Sequence, residues 1–375
     1  MNKKIYYSIC LALLLLIVVL SLEKFNAKEQ LEQTRFEAVK EAQALDESEE
    51  TLVKDPTQET VLVEGIKIDG KSYVPLQQVA DKLNGEHEVD WLEGTAELRM
   101  GNTQYSWVKD APIFEKDGTF LPNEDKTVFQ EEQVWIPAQS LAHLGGSVEL
   151  EGNQVKISRE NLVEEVSLTM GSEATMSLAD MSAEQVVEYL SFLQIPIDGA
   201  HISKKSSHLP GALRSYRNGI HEGIDWYAGT TGIEITENTP VKSMADGIVV
   251  RADHDYIEYT LEEREKDLLV SAKSTHTPTY ILDKLRGRSI WVQHDKGVLV
   301  RYAHLSNIEP GLKIGQAVSA GDVIGYVGNS GTSYGVEGSL GGLHLHSDIL
   351  VYGDLFWEYL SEEQVISVLE QLFQP

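Results

Sequence analysis

The chain has 375 residues, more than one ordinary domain needs, and a formal net charge of −28. From residue 201 onward 15 Lys and Arg stand against 23 Asp and Glu, so most of the excess acidity lies in the first 200 residues. No basic patch exists to hold a phosphate backbone, which excludes nucleic-acid binding. The one cysteine, Cys10, excludes disulfides and thiolate metal ligands from everything after it.

Lys3 and Lys4 precede a nearly unbroken apolar run from Ile5 to Leu22, closed by Glu23 and Lys24. The run is long enough to cross a bilayer with little tilt, and no small-x-small cleavage site follows it cleanly. Residues 1–23 are therefore expected to form a transmembrane helix. Its lysines would stay in the cytoplasm, and the rest of a single-pass protein at the cell membrane would lie outside. The alternative is a cleaved signal peptide and a secreted protein. Cys10 lies ahead of the apolar core rather than after it, which argues against a lipoprotein anchor. Residues 24–60, rich in Glu, Gln, Lys and Ala without sustained heptads, read as a solvated acidic stalk.

Residues 61–160 contain an imperfect repeat. Tyr73-Val74-Pro75-Leu76-Gln77-Gln78-Val79-Ala80 runs on to Leu83, Gly85 and Val89. Trp135-Ile136-Pro137-Ala138-Gln139-Ser140-Leu141-Ala142 runs on to Leu144, Gly145, Gly146 and Val148. Each copy predicts a strand, a helix begun at proline, a glycine stop and a second strand. The pattern resembles the module named after the copper amine oxidase N-terminal domain. The resemblance implies a small α+β wall-binding or spacing unit, and with only His87 and His143 as imidazoles it implies no copper. Residues 161–200 read as a connector, with Ser182-Ala183-Glu184-Gln185 as a capping box and Val186, Val187, Leu190 and Leu193 as the apolar stripe of a helix.

From residue 201 the composition shifts to Gly, Tyr and β-branched residues. Strand-like runs at 241–244, 247–250, 290–293, 298–302, 317–318, 323–327 and 343–350 are punctuated by Gly and Asp. In an extended strand, positions two or four apart share a face, so His344 and His346 point one way, as do His221 and Asp225. Imidazole and carboxylate are the ligands that zinc takes in open catalytic sites, and Tyr302-Ala303-His304-Leu305 ends an apolar strand with a further imidazole. These residues predict a zinc hydrolase.

The order His221-Glu222-Gly223-Ile224-Asp225, Ala245-Asp246-Gly247, Tyr302-Ala303-His304-Leu305, Gly328-Asn329-Ser330-Gly331 and His344-Leu345-His346 resembles the M23 peptidases of the lysostaphin and LytM type. The resemblance runs from about Arg214 to Val351. It implies His221, Asp225 and His346 as ligands of one zinc ion, and His304 and His344 as uncoordinated catalytic imidazoles. It leaves open which of the two is the general base and which orients water or stabilises the tetrahedral intermediate; His344 is the favoured base. It also implies peptidoglycan as partner and a stem or cross-bridge amide as the bond cut. The alternatives are a wall-binding or amidase-activating module without catalysis, and a protease of an exported protein. Ser347-Asp348 replaces the Phe-Glu of many relatives, in a supporting position. The other departure is an insertion at about 251–288, where Thr260-Leu261-Glu262-Glu263 and Thr277-Pro278 start two short helices expected beside the groove. The fold expected overall is mainly β with some α: an antiparallel catalytic domain over 201–375, preceded by the repeat module and a transmembrane helix.

Overall fold

Most of the strand-like runs after residue 201 meet in one antiparallel sheet with His344–Val351 next to its edge strand, while Pro240–Lys242 and Val323–Tyr326 pair with each other in a separate sheet. His344–Val351 pairs with Ile224–Tyr227 on one side and Val298–Ala303 on the other. Beyond Val298–Ala303 follow Ile290–His294, Gly247–Ala252 and Ala317–Val318, while Asp354–Leu355 folds back onto His344–Val351. A computed structural model describes residues 59–144, 146–159 and 177–373 of the chain. All eight residues of His344–Val351 are buried, so both faces of the sheet are covered there.

Alternation sends Leu345 and Ile349 to one face, into a core with Trp226 of the neighbouring strand. The helix Ala183–Leu190 covers that core with Val186 and Leu190, and the helix Glu362–Leu372 with Val365 and Leu369. Phe373 meets Trp226 edge-on at 6.0 Å between centroids. Both helices open with a complete capping box, Ser182 with Gln185 and Ser361 with Gln364.

The opposite face carries His344, His346 and Asp348, then Leu350. Around Leu350 a second core forms from Val250, Trp291 and Leu299 of the sheet with Val108, Ile113 and Phe120 of the preceding region. Phe120 stands edge-on to Trp291, 5.5 Å between centroids. Replacing Phe120 by Ala is expected to cost about 3–5 kcal/mol of stability, as for other buried aromatics, in a denaturant titration. A loss under about 1 kcal/mol would mean that this contact does not hold the two parts together.

Within 61–160 the repeat halves are unequal. Lys71–Pro75, the helix Leu76–Leu83 and Glu86–Asp90 form the first; Gln133–Pro137, the 3-10 helix Ala138–Leu144 and Gly146–Glu151 form the second. The two leading strands pair with each other, but the closing strands enter different sheets. Asn84, left-handed at φ 55°, ends the first helix one residue before Gly85, where the sequence places the stop.

Two expectations are corrected. The fold is mixed α/β with antiparallel sheets rather than mainly β, because helices cover the sheet as layers of the core and Glu362–Leu372 had not been foreseen. Among the described residues no helix is long and apolar enough to cross a membrane. Residues 1–23, on which the transmembrane helix had been placed, lie outside the described residues, as do the stalk up to residue 58 and residues 160–176 of the connector. Attachment to a membrane and a single-pass location at the cell membrane are withdrawn with that helix.

Candidate metal centre

Strand register assembles the site. Asp225 lies directly across from His346, and Tyr227 directly across from His344, on adjacent antiparallel strands. On the far side Ala303 pairs with His346, so the chain delivers His304 to the same rim as its strand ends. His221 comes from the turn before Ile224–Tyr227, anchored by its amide donating to Ala212 O at 2.7 Å. Gly223 lets that turn lie flat on the neighbouring strand: a Cβ there would meet the Ser347 carbonyl oxygen at 2.2 Å.

Three donor atoms converge. His221 Nε2 and His346 Nδ1 are 3.0 Å apart, and each lies 2.9 Å from Asp225 Oδ1. The other ring nitrogens fix the tautomers. His221 Nδ1 lies 2.8 Å from the Leu209 carbonyl oxygen, which can only accept, so Nδ1 carries the proton. His346 Nε2 likewise donates to Asp348 Oδ1 at 2.6 Å. Two imidazole nitrogens and a carboxylate oxygen thus face one another at about 3 Å, an arrangement that repels unless a cation or a shared proton lies among them. A triangle of this size suits ligand bonds of about 2.0–2.2 Å, and neutral imidazole with carboxylate is a zinc donor set. The residues fit the ion.

The local field agrees. Burial opposes charge on Asp225, yet His221 and His344 outweigh it and hold the carboxyl well below the ordinary range. Burial also opposes charge on His346, but Asp348 and Asp225 outweigh it and raise the imidazole to about 9. The cluster favours a positive charge at its centre. Arg214 Nη2 takes the second oxygen of Asp225 at 3.1 Å, leaving Oδ1 for the imidazoles.

Asp348 does more than the sequence position suggested. It is fully buried, and besides His346 it meets Arg286 Nε at 3.0 Å. Arg301 Nε lies 2.9 Å away without hydrogen-bonding geometry, so it contributes charge rather than a directed bond. Asp348→Asn keeps an acceptor but drops the charge that orients His346. Zinc affinity should fall about 10–100-fold, measured by competition with a chelator, while the wild-type value would show that His346 needs no such partner.

His304 and His344 complete the cluster without joining the donor triangle. His344 Nδ1 donates to Gly342 O and His304 Nδ1 to Ser330 O, both at 2.7 Å, so each turns an Nε2 lone pair away from its backbone partner. The rings lie 4.8 Å apart between centroids, and His344 stacks on Tyr227 at 4.1 Å. Burial, reinforced by His344 and His346, pushes His304 well below the ordinary imidazole range, and burial brings His344 down to about 4. Both are neutral acceptors at pH 7. His304 sits at φ 59°, a left-handed conformation that costs a non-glycine residue about 1–3 kcal/mol. Its amide holds that turn in place by donating to Arg286 O at 2.8 Å.

All five residues line one cleft of about 390 Å³. Residues 251–288 form part of its wall. Helix Leu261–Ser271, with the Thr260–Glu263 capping box, and helix Thr279–Leu285 contribute Arg264, Leu282 and Leu285 to the lining. The segment also grips the glycine-rich loop opposite, where the Gly331 amide donates to both oxygens of Glu258 at 3.0 and 3.1 Å. His208 also lines the cleft and packs on Tyr227 at 4.7 Å. No sequence signal marks it, since the strand partner that brings it there is remote. His294, buried, donates from Nδ1 to Asp246 O at 2.9 Å and stays out of the cleft lining.

Residues 219–356 match the model of peptidase family M23. The matched part of the chain holds the donor triangle and both further histidines. Solved structures similar to the chain include the catalytic domain of the antimicrobial peptidase lysostaphin from Staphylococcus simulans, at 21% identity over 44% of this chain and 86% of that one, with a TM-score of 0.23. The catalytic domain of a prophage-encoded M23 protein from Enterococcus faecalis is 18% identical over 44% and 92%, with a TM-score of 0.27. A zinc-containing peptidase from Vibrio cholerae is 17% identical over 70% and 48%, with a TM-score of 0.27. Superpositions this loose add no weight of their own; the likeness to family M23 rests on the matched residues. Among curated proteins none matches the chain. The match to family M23 does not reach residues 61–160, whose likeness to the amine oxidase module has no support beyond the repeat itself.

Proposed function

We propose that the protein is a zinc-dependent endopeptidase that hydrolyses amide bonds in the peptide part of peptidoglycan. The observation that carries this reading is the convergence of three metal-ligand atoms and two free Nε2 lone pairs in a single cleft. His221, Asp225 and His346 would hold the ion. When bound, zinc supplies Lewis-acid polarisation of the scissile carbonyl and activation of water.

The protein's own groups do the rest. His344, neutral and with Nε2 directed toward Asp225, takes the proton as water attacks. The resulting imidazolium can then donate to the departing amine nitrogen. His304 is also a neutral acceptor, so in the resting site it orients the water by accepting a hydrogen bond from it. Residues 61–160 act as a scaffold, since none of them lines the cleft.

The test is to incubate the zinc-loaded full-length protein with purified peptidoglycan beside its His344→Ala variant. New free amines and smaller muropeptides from the parent alone support the hydrolase, and their masses identify the bond. If both bind peptidoglycan and neither releases anything, the reading fails in favour of a non-catalytic wall-binding role.

A further inference from the structure

The cleft contrasts with the rest of the molecule. In a chain of net charge −28 its lining carries four arginines and only two carboxylates, Glu222 and Asp225. Three of the arginines are engaged: Arg214 with Asp225 at 3.1 Å, Arg217 with Glu222 at 2.7 Å, and Arg286 with Asp348 at 3.0 Å. Arg264 is not. Among the described residues no carboxylate lies within ion-pair distance of it, and its Nε is buried without a hydrogen-bond partner. The carboxylate one turn further along its helix, Asp267, is taken by the Tyr259 hydroxyl at 2.9 Å and by Lys284 at 3.3 Å.

A half-buried guanidinium with an unpaired donor is costly unless something arrives to pair with it, and its planar fork matches a carboxylate. We propose that Arg264, on the first helix of the 251–288 segment, binds a carboxylate of the peptide substrate, so that this segment selects anionic peptides. The proposal rests on the peptidase reading for the nature of the substrate. The carboxylate can be the C-terminus of the peptide or an acidic side chain; the chemistry of recognition is the same. Arg264 is held by a segment already fixed to the site, through Glu258 to Gly331 and through Arg286 to Asp348, so a bound carboxylate would be registered against the metal cluster.

The probe is a synthetic stem tetrapeptide, Ala-D-isoGlu-Lys-D-Ala, prepared as free acid, with the C-terminus amidated, with the glutamate amidated, and with both amidated. Binding is measured by calorimetry on the zinc-loaded full-length His344→Ala variant, which holds substrate without turnover. The free acid should bind about tenfold tighter or more than the doubly amidated peptide. Arg264→Gln should abolish that preference and Arg264→Lys should keep part of it. The singly amidated peptide that loses tightness identifies which carboxylate is bound. The absence of any preference in the parent, or its persistence in Arg264→Gln, overturns the proposal. Peptidoglycan left uncut by the enzyme with His344 intact, alongside a carboxylate preference that depends on Arg264, would overturn the peptidase reading alone.

Discussion

Alanine at His346 will remove zinc and hydrolysis together. The imidazole supplies one of three donor atoms that meet within about 3 Å, and its loss leaves a carboxylate and a single imidazole to hold the ion. Affinity should fall beyond the 10–100-fold range typical of supporting residues. Lewis-acid polarisation is worth several kcal/mol of transition-state stabilisation, so activity should drop by on the order of a thousandfold or more. His221→Ala and Asp225→Ala should behave alike. Metal analysis of each desalted variant, with circular dichroism to confirm folding, makes the comparison. A folded His346→Ala variant that keeps stoichiometric zinc would remove His346 from the ligand set.

His344→Ala should separate the two losses. Its Nε2 approaches Asp225 Oδ1 no closer than 3.6 Å, outside the triangle, and its Nδ1–H is committed to Gly342 O. Zinc content should therefore match the parent, while turnover falls about 10²–10⁴-fold, the usual contribution of a positioned general base. The ring also lies flat against Tyr227, so a stability measurement should accompany the kinetics. Zinc lost from folded His344→Ala would mean that the ligands are wrongly assigned, with His344 rather than His346 in the set. Turnover kept near the parental level would move the base to His304, the reverse assignment left open by the motifs.

The five residues that the structure gathers in the cleft were named from the sequence partly by a local rule and partly by the resemblance, since Asp225 meets His346 across 121 residues of chain. Alternation along a strand puts His344 and His346 on one face, and short antiparallel pairing brings Asp225 opposite His346. The helices of the 251–288 segment were legible for a similar reason, since Thr260 and Glu263 satisfy each other across four residues. What stayed hidden depends on distant partners. Asp348 looks like a neutral replacement until Arg286, 62 residues away in sequence, arrives beside it. His208 has no motif, and in the cleft it is held by Ser203 Oγ at 3.0 Å and by packing on Tyr227. The helix Glu362–Leu372 is a different case: Ser361 and Gln364 give the same local signal as Thr260 and Glu263, and it was passed over. The repeat in 61–160 foretold its strands but not that Glu86–Asp90 and Gly146–Glu151 would join separate sheets.

The 251–288 segment bears on how such domains can be recombined. An insertion between two strands is usually treated as a detachable decoration, to be trimmed or exchanged between homologues. Here its last turns hand a backbone carbonyl to His304, a guanidinium to Asp348 and, through Gly287, a surface on which Ser330 lies too close for any larger residue. Trimming it would take from the buried Asp348 its directed arginine bond and release the strained turn at His304. A chimera that moved the segment alone, or Ser347-Asp348 alone, would break a matched pair. The two pieces are structurally matched, and any graft of the segment has to carry both.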